Sequence, residues 1–473
     1  MMTQSLFPYQ VFRAYDIRGK TQLLSPMLVE AIAYGLAKQF KQEHQFEIVL
    51  AYDARLSSPA YAQMIAGICE LEGLKVTQLG CCSSPMMYFF AQKTGGNGIM
   101  VTASHNSKSD NGFKWMLKGL PPSPEKIQQV ATIACTYFQK DTHIQTPIVH
   151  HQVNPFFCTQ YENALLADIQ LKRSFKVMID GMNGSAGELA QSVFKKLGCE
   201  VIALRCHADG NFPDHAPDPS KEQHLIELKQ TVLEQHADIG IALDGDGDRL
   251  VLVDEHANII TADRILSLCA KMCLEQHPAK EIVYDVKCST MVRNTIQSLG
   301  GIPKMLRTGS TFLKRYLAGS NGQAIFGGEY AGHYVFNDGR GYGYDDGLYT
   351  ALRILEYFSL SQYLTISSMF SEYPERCSTE DTYISTYAIQ PQQVLDEVAS
   401  KSDTYDAQMS KIDGIRLDFE DGFGIIRASN TGEYFTVRFD ADNSSRLDDI
   451  RKVFASILSD NYPKIAQDIL DAQ

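Results

Sequence analysis

The sequence predicts an α/β fold: three related α/β units with mixed, mostly parallel sheets, followed by a C-terminal α+β unit. Three observations carry this. The chain has 473 residues, and a single hydrophobic core stops growing near ~250–300 residues, so two to four domains follow. Short apolar runs alternate with amphipathic stretches over the first three-quarters, and that rhythm restarts twice. Beyond residue 379 it gives way to closely spaced alternating strands.

In the first unit, Leu28 to Phe40 reads as a helix, with Ala31, Ile32, Gly35, Leu36 and Phe40 on one face. Ile48 to Tyr52 is a strand that ends at Asp53, Tyr61 to Leu71 a helix, and Lys75 to Leu79 a strand. Ile99 to Ala103 is a buried strand running straight into Ser104. The second unit opens on the strand Lys176 to Ile179, the glycine-rich turn Asp180 to Gly184 and a helix from Ala186 to Leu197. The third opens on the strand Ile282 to Val286 and a helix from Thr290 to Leu299. Boundaries fall near residues 150 and 256, and the repeat is architectural, without residue-level self-similarity. Glu372 to Thr379 reads as a linker. Strands at Ile412 to Phe419, Gly424 to Arg427 and Tyr434 to Phe439, then a helix from Arg446 to Leu458, form the last unit.

Composition narrows the function. Hydrophobic residues make up 44% and charged residues 21%, as in an ordinary globular protein. The net charge of −13 argues against nucleic acid as a partner, though not against a small anion bound at a locally basic site. No apolar run approaches the ~18–20 residues of a membrane span. Met1 to Tyr9 has no secretory pattern. Eleven cysteines without Cys-x-x-Cys spacing read as reduced, mostly buried thiols of a cytoplasmic protein.

Four strings carry chemistry. In Asp244-Gly245-Asp246-Gly247-Asp248-Arg249, three carboxylates at alternating positions can converge on one hard cation such as Mg²⁺. The apolar flanks Ile239 to Leu243 and Leu250 to Asp254 place the string at a hairpin tip. An EF-hand is excluded because Arg249 stands where that loop needs glycine and because the flanks are not helices. In Thr102-Ala103-Ser104-His105-Asn106, Ser104 ends a buried strand, where α/β sheets bind ligands. The adjacent His105 could assist it, although a turn or helix-cap role is the commoner explanation of such a serine. Arg427-Ala428-Ser429-Asn430-Thr431-Gly432 fits a phosphate cradle and a polar hairpin turn equally. In Gly327-Gly328-Glu329-Tyr330-Ala331-Gly332-His333, Glu329 and His333 could bond sugar hydroxyls, although a surface turn is the commoner origin of such a string.

These strings, in this order, together with Phe12-Arg13-Ala14-Tyr15-Asp16-Ile17-Arg18-Gly19, resemble the α-D-phosphohexomutase family over essentially the whole chain. The Ser-Asn-Thr string and the length resemble its phosphomannomutase/phosphoglucomutase branch. The resemblance implies four domains around a central cleft, here 1–152, 153–255, 256–370 and 371–473. It implies a phosphohexomutase interconverting hexose 1-phosphate and hexose 6-phosphate of mannose, glucose or both, through a phosphoserine and a 1,6-bisphosphate. It further implies Ser104 as the phosphoserine, completing a Mg²⁺ site with Asp244, Asp246 and Asp248. Arg18, His105, Lys114 and Arg249 would serve catalysis, with His105, Lys114, Arg18 and His333 as acid–base candidates. Tyr15, Lys287, Ser310, Glu329, His333, Arg427, Ser429, Asn430 and Thr431 would hold the substrate. Hexose 1,6-bisphosphate would act as primer and hexose phosphates as partners, with no nucleic acid or membrane, and the chain as a cytoplasmic monomer or weak dimer.

The sequence departs from the family pattern at four places: Ser107 where proline is usual, Ala331 where serine is usual, Thr308-Gly309-Ser310-Thr311 for Gly-His-Ser, and Gly432 after Thr431. Two of these fall on sugar-reading loops. They keep two alternatives open, a phosphoglucosamine mutase and a catalytically impaired sugar-phosphate-binding homologue. Asn430 argues against the first.

Overall fold

In a computed structural model of the chain, residues 7–139, 154–429 and 432–472 are described. Two compact units emerge. One comprises Met1–Thr261, Lys314–Gly322 and Ala331–Phe370, the other Ala262–Leu313, Gln323–Tyr330 and Ser371–Gln473.

The first unit holds two five-stranded sheets. One is built from β1 (Ile17–Lys20), β2 (Glu47–Tyr52), β3 (Lys75–Cys81), β4 (Gly98–Val101) and β5 (Asp110–Met116), in the order β1-β5-β4-β2-β3. The other is built from β6 (Lys176–Asp180), β7 (Glu200–Leu204), β8 (Ile239–Leu243), β9 (Leu250–Asp254) and β10 (Ile259–Ile260), in the order β10-β9-β8-β6-β7. Both have the same pattern. The central strand, β4 or β8, pairs parallel on one side (with β2 or β6) and antiparallel on the other (with β5 or β9). The architectural repeat read from the sequence is therefore real at the level of pairing. The hairpin read around the aspartate string is the antiparallel β8–β9 pair. The β4–β5 pair was not distinguishable in the sequence, because both strands are buried almost throughout and show no alternation.

Serine and proline set several helix starts. Ser25 Oγ accepts from Leu28 N, with Pro26 opening the helix Pro26–Gln42, which begins two residues before the apolar period. The helices Ser84–Lys93 and Pro124–Phe138 repeat this device with Ser83 and Ser123. The core of the first sheet includes Leu36, Phe40, Ile65, Phe113 and Trp115, and the second has a separate cluster around Leu228, Val232 and Val253. The short strand β14 (Tyr334–Phe336) and the helix Gly347–Leu360 also belong to this unit.

The second unit contains a parallel set, β11 (Glu281–Asp285), β12 (Ile302–Leu306) and β13 (Ala324–Gly328), with β11 between the other two. It also contains an antiparallel sheet of β15 (Cys377–Ser378), β16 (Thr382–Ser385), β17 (Gln408–Ser410), β18 (Ile415–Asp418), β19 (Gly422–Ala428) and β20 (Tyr434–Ala441). The helices Pro391–Lys401 and Ser444–Leu458 cover that sheet through Val394, Val398, Ile450 and Phe454. The architecture is thus mixed α/β with a further C-terminal α+β domain. One element differs from the sequence reading: Cys377 pairs with Ala441, so the stretch read as a linker ends in a strand. The eleven cysteines are free, and most are buried. Among the described residues no helix is long and apolar enough to cross a membrane.

Candidate active site

Ser104 lies three residues beyond the end of β4, buried and with φ of 52°. A serine in the left-handed region is strained by about 1 kcal/mol or more, so its surroundings must impose that conformation. They do so through hydrogen bonds. Ser104 N donates to Thr102 Oγ1 at 2.7 Å, and Thr102 Oγ1 donates to Asp53 Oδ2 at 2.7 Å. Arg55, paired with Asp53 at 2.9 Å, donates to the carbonyls of Ser104, Asn106, Ser107 and Asp110.

The aspartate string follows β8 just as Ser104 follows β4, so the two loops project from equivalent central strands. They meet: Ser104 Oγ donates to Asp244 Oδ2 at 2.6 Å. Asp244, Asp246 and Asp248 are all buried, with one oxygen of each within 4.8 Å of the others. Lys114 Nζ lies 2.8 Å from Asp246 and 2.7 Å from Asp248. Ser84 Oγ donates to Asp246 Oδ2, and Ser84 N donates to the Asp246 carbonyl at 2.8 Å.

One lysine cannot balance three buried carboxylates. Burial, then the charges of Asp248 and Asp246, push the Asp244 carboxyl well above its usual range. Burial acts in the same sense on Asp246, but Lys114 overrides it and holds that carboxyl below the usual range. Asp246 Oδ1 and Asp248 Oδ1 are buried without a hydrogen-bond partner. Two unpartnered oxygens beside a third carboxylate suit a hard divalent cation, so the trio fits the metal its pattern predicts.

Cations ring this cluster. Arg18 donates to the Ala103 carbonyl and to Asn106 Oδ1 and pairs with Asp16 at 2.6 Å. His105 Nδ1 lies 3.2 Å from Ser104 Oγ. Burial, then the charges of Arg249, Arg18, His333 and Lys114, push its imidazole well below the usual value. Arg249 N donates to Asp244 Oδ1, and Arg249 Nε donates to His333 Nε2 at 3.0 Å. A His333 that accepts at Nε2 carries its proton, when neutral, on Nδ1, which lies 2.9 Å from Asp345 Oδ2 and 3.6 Å from Asp248 Oδ1. Tyr15 is 41% exposed.

The remaining candidates lie on the second unit. Lys287 is buried, 2.6 Å from Asp381. Ser310 opens the helix Ser310–Gly319. Glu329 is buried and accepts a hydrogen bond from Gly309 N. Arg427, 2.7 Å from Asp413, lies near the end of β19, and Ser429, whose Oγ accepts from Gly432 N at 3.1 Å, stands on the connection to β20. Asn430 and Thr431 lie outside the described residues. Glu329 and His333, four residues apart, belong to different units.

Family models match the chain in three consecutive pieces of phosphoglucomutase/phosphomannomutase: alpha/beta/alpha domain I over residues 9–141, domain II over 156–257 and domain III over 261–377. The chain belongs to this family. It is 36% identical to a phosphoglucomutase of Neisseria meningitidis over 95% of this chain and 97% of the relative. It is 34% identical to a phosphomannomutase/phosphoglucomutase of Pseudomonas putida over 98% of each. A crystal structure of a family protein from Burkholderia thailandensis superposes with a TM-score of 0.86 at 32% identity, covering 97% of this chain and 98% of that one.

Within this mutase fold, three contributors escaped the sequence reading. Arg55 and Ser84 belong to none of the four strings, and Asp345 sits in a Gly/Tyr-rich stretch without a pattern. The one available signal was a charged pair, Asp53 and Arg55, just past the end of a buried strand.

Proposed function

We propose that the chain interconverts hexose 1-phosphate and hexose 6-phosphate, with glucose and mannose as the sugars, through phosphorylated Ser104 and a hexose 1,6-bisphosphate. The observation that carries the reading is the 2.6 Å contact between Ser104 Oγ and Asp244, inside a buried aspartate trio ringed by Arg18, Lys114 and Arg249. The sugars follow from the relatives' names, phosphoglucomutase and phosphomannomutase/phosphoglucomutase. A glucosamine substrate or lost catalysis is not favoured.

Phosphoryl transfer asks a protein mainly for position and charge. Bound by Asp244, Asp246 and Asp248, with phosphoserine oxygen as a further ligand, Mg²⁺ would neutralise charge on the transferred group. The protein's own part is to hold Ser104 Oγ fixed beside the trio. Arg18 and Arg249 supply positive charge around it, and Lys114 pairs with Asp246 and Asp248. The half-buried His105 imidazole stays neutral at pH 7, and its Nδ1 is placed to accept the Ser104 hydroxyl proton when the serine is phosphorylated again. The opposite proton transfer, from the sugar hydroxyl that attacks phosphoserine, falls to Lys114, Arg18 or His333.

On this reading Tyr15, Lys287, Ser310, Glu329, Arg427, Ser429, Asn430 and Thr431 are the sugar- and phosphate-binding groups. The chain divides into domains 1–152, 153–255, 256–370 and 371–473 and works in the cytoplasm as a monomer or weak dimer. Intact-mass measurement tests the core claim. Incubation with glucose 1,6-bisphosphate should add one phosphate to the wild-type chain, lost again to hexose phosphate, and none to Ser104→Ala, which should also lose mutase turnover. A Ser104→Ala variant with near-wild-type turnover would sink the proposal.

A further inference from the structure

We infer that Arg55 is a positioning residue for phosphoryl transfer at Ser104: its guanidinium holds the 104–110 loop in the conformation that aims Oγ at the aspartate trio. This rests on the phosphoserine reading above. Arg55 does not touch the Ser104 hydroxyl; it acts through the backbone. Its five N–H donors each have an acceptor. Nε pairs with Asp53 Oδ2 at 2.9 Å. Nη1 donates to Ser107 O at 2.5 Å and Asp110 O at 3.0 Å, and Nη2 to Ser104 O and Asn106 O, both at 2.7 Å. Four carbonyls of one short loop thus converge on one planar cation that is 1% exposed. A rigid fork can make that pattern; a lysine ammonium, with three donors on a flexible stem, cannot.

The fork is itself fixed. Asp53 accepts from Ser58 Oγ at 2.6 Å, from Thr102 Oγ1 at 2.7 Å and from Arg55 N at 3.1 Å. The guanidinium carbon lies 5.4 Å from the Phe212 ring centroid, and Gly210 bridges the Arg55 backbone. Phe212 and Gly210 come from the loop after β7, so Arg55 ties the loops of both sheets of this unit to the nucleophile. The left-handed φ of 52° at Ser104 needs such a restraint. Without it the serine relaxes, and its hydroxyl leaves the 2.6 Å contact with Asp244.

The test uses the full chain, freed of phosphate, with glucose 1,6-bisphosphate as donor. Phosphate gain is followed by intact mass, turnover on glucose 1-phosphate by kcat and KM, and loop order by amide exchange. For Arg55→Lys we expect phosphate gain and kcat to fall roughly 100-fold, the scale of a ~1 Å misplacement. KM should stay near the wild-type value, and exchange should rise at 104–110 without a chain-wide increase. Phe212→Leu, a milder change, should give an intermediate fall in kcat. Wild-type chain that takes no phosphate overturns the phosphoserine reading itself. Wild-type chain that takes it, with Arg55→Lys labelled equally fast, overturns the role of Arg55 alone. Should Arg55→Lys fail to fold, unchanged kcat and loop exchange in Phe212→Leu would overturn it.

Discussion

The carbonyl oxygen of Ser104 occupies the space that a side chain on Gly245 would need: a Cβ built there would lie 2.6 Å from that oxygen and 2.9 Å from Pro217 Cγ. Gly245 thus lets the metal-binding loop lie directly on the nucleophile loop. Ser185 N donates to the Gly245 carbonyl at 3.0 Å, so the loop is pinned from the far side and cannot swing away freely. Gly245→Ala should force the two loops apart. We expect turnover to fall by about 100-fold and stability by about 1–3 kcal/mol, the usual cost of overpacking. Steady-state kinetics and urea unfolding check both.

Asp244 makes metal binding depend on pH. Burial and its two acidic neighbours raise its pKa, so the proton that a carboxylate ligand must lose is held to higher pH than on an ordinary aspartate. At a pH below that raised pKa, Mg²⁺ binding should therefore release a proton, and affinity should weaken as pH falls. Calorimetric titration in two buffers of different ionisation heat reads the released proton. Asp244→Asn should abolish the release and most of the affinity. Equal heats in both buffers for the wild-type chain would contradict the assignment.

Lys114 is the cation shared by Asp246 and Asp248. Lys114→Met leaves two buried carboxylates facing each other, and removing one partner of a buried ion pair costs roughly 3–5 kcal/mol. The expected result is a large stability loss in the presence of chelator that narrows in millimolar Mg²⁺, because the metal supplies the missing charge. Urea midpoints with and without Mg²⁺ test this, and a loss independent of Mg²⁺ would count against the trio as its site.

Much of this was readable before the structure. The aspartate trio was legible because three like charges at alternate positions make little sense without a cation. The strands β2, β6, β8 and β9 were legible as apolar runs of strand length. Ser104 was legible as a position at a strand end, but its role came only from the company of other motifs. Arg55 was not legible, because its five bonds reach residues 49 to 55 positions away as well as a near neighbour, and no local pattern records that. The contact of Ser84 with Asp246 spans 162 positions. Glu329 and His333 looked like one sugar-reading string because only three residues separate them in the sequence. Burial instead gives each its own partners, Gly309 for the first and Arg249 and Asp345 for the second.

Asp285 yields the last prediction. It ends β11 and gathers the two neighbouring loops: its carboxylate accepts from Thr308 Oγ1 at 2.8 Å and from Tyr330 N at 3.1 Å. Those loops carry Ser310 and Glu329, and Glu329 is tied back to Gly309 N. Removing the carboxylate strips a partner from each loop at once, and a buried group left without its partner costs about 1–3 kcal/mol. Ser104 and the aspartate trio belong to the other unit. Asp285→Ala should therefore act mainly on sugar binding, raising KM for hexose phosphate more than it lowers kcat. The rate at which Ser104 takes a phosphate from glucose 1,6-bisphosphate at saturation should stay close to wild type. A variant with unchanged KM and lowered kcat would mean that this loop pair serves the chemical step instead of the sugar.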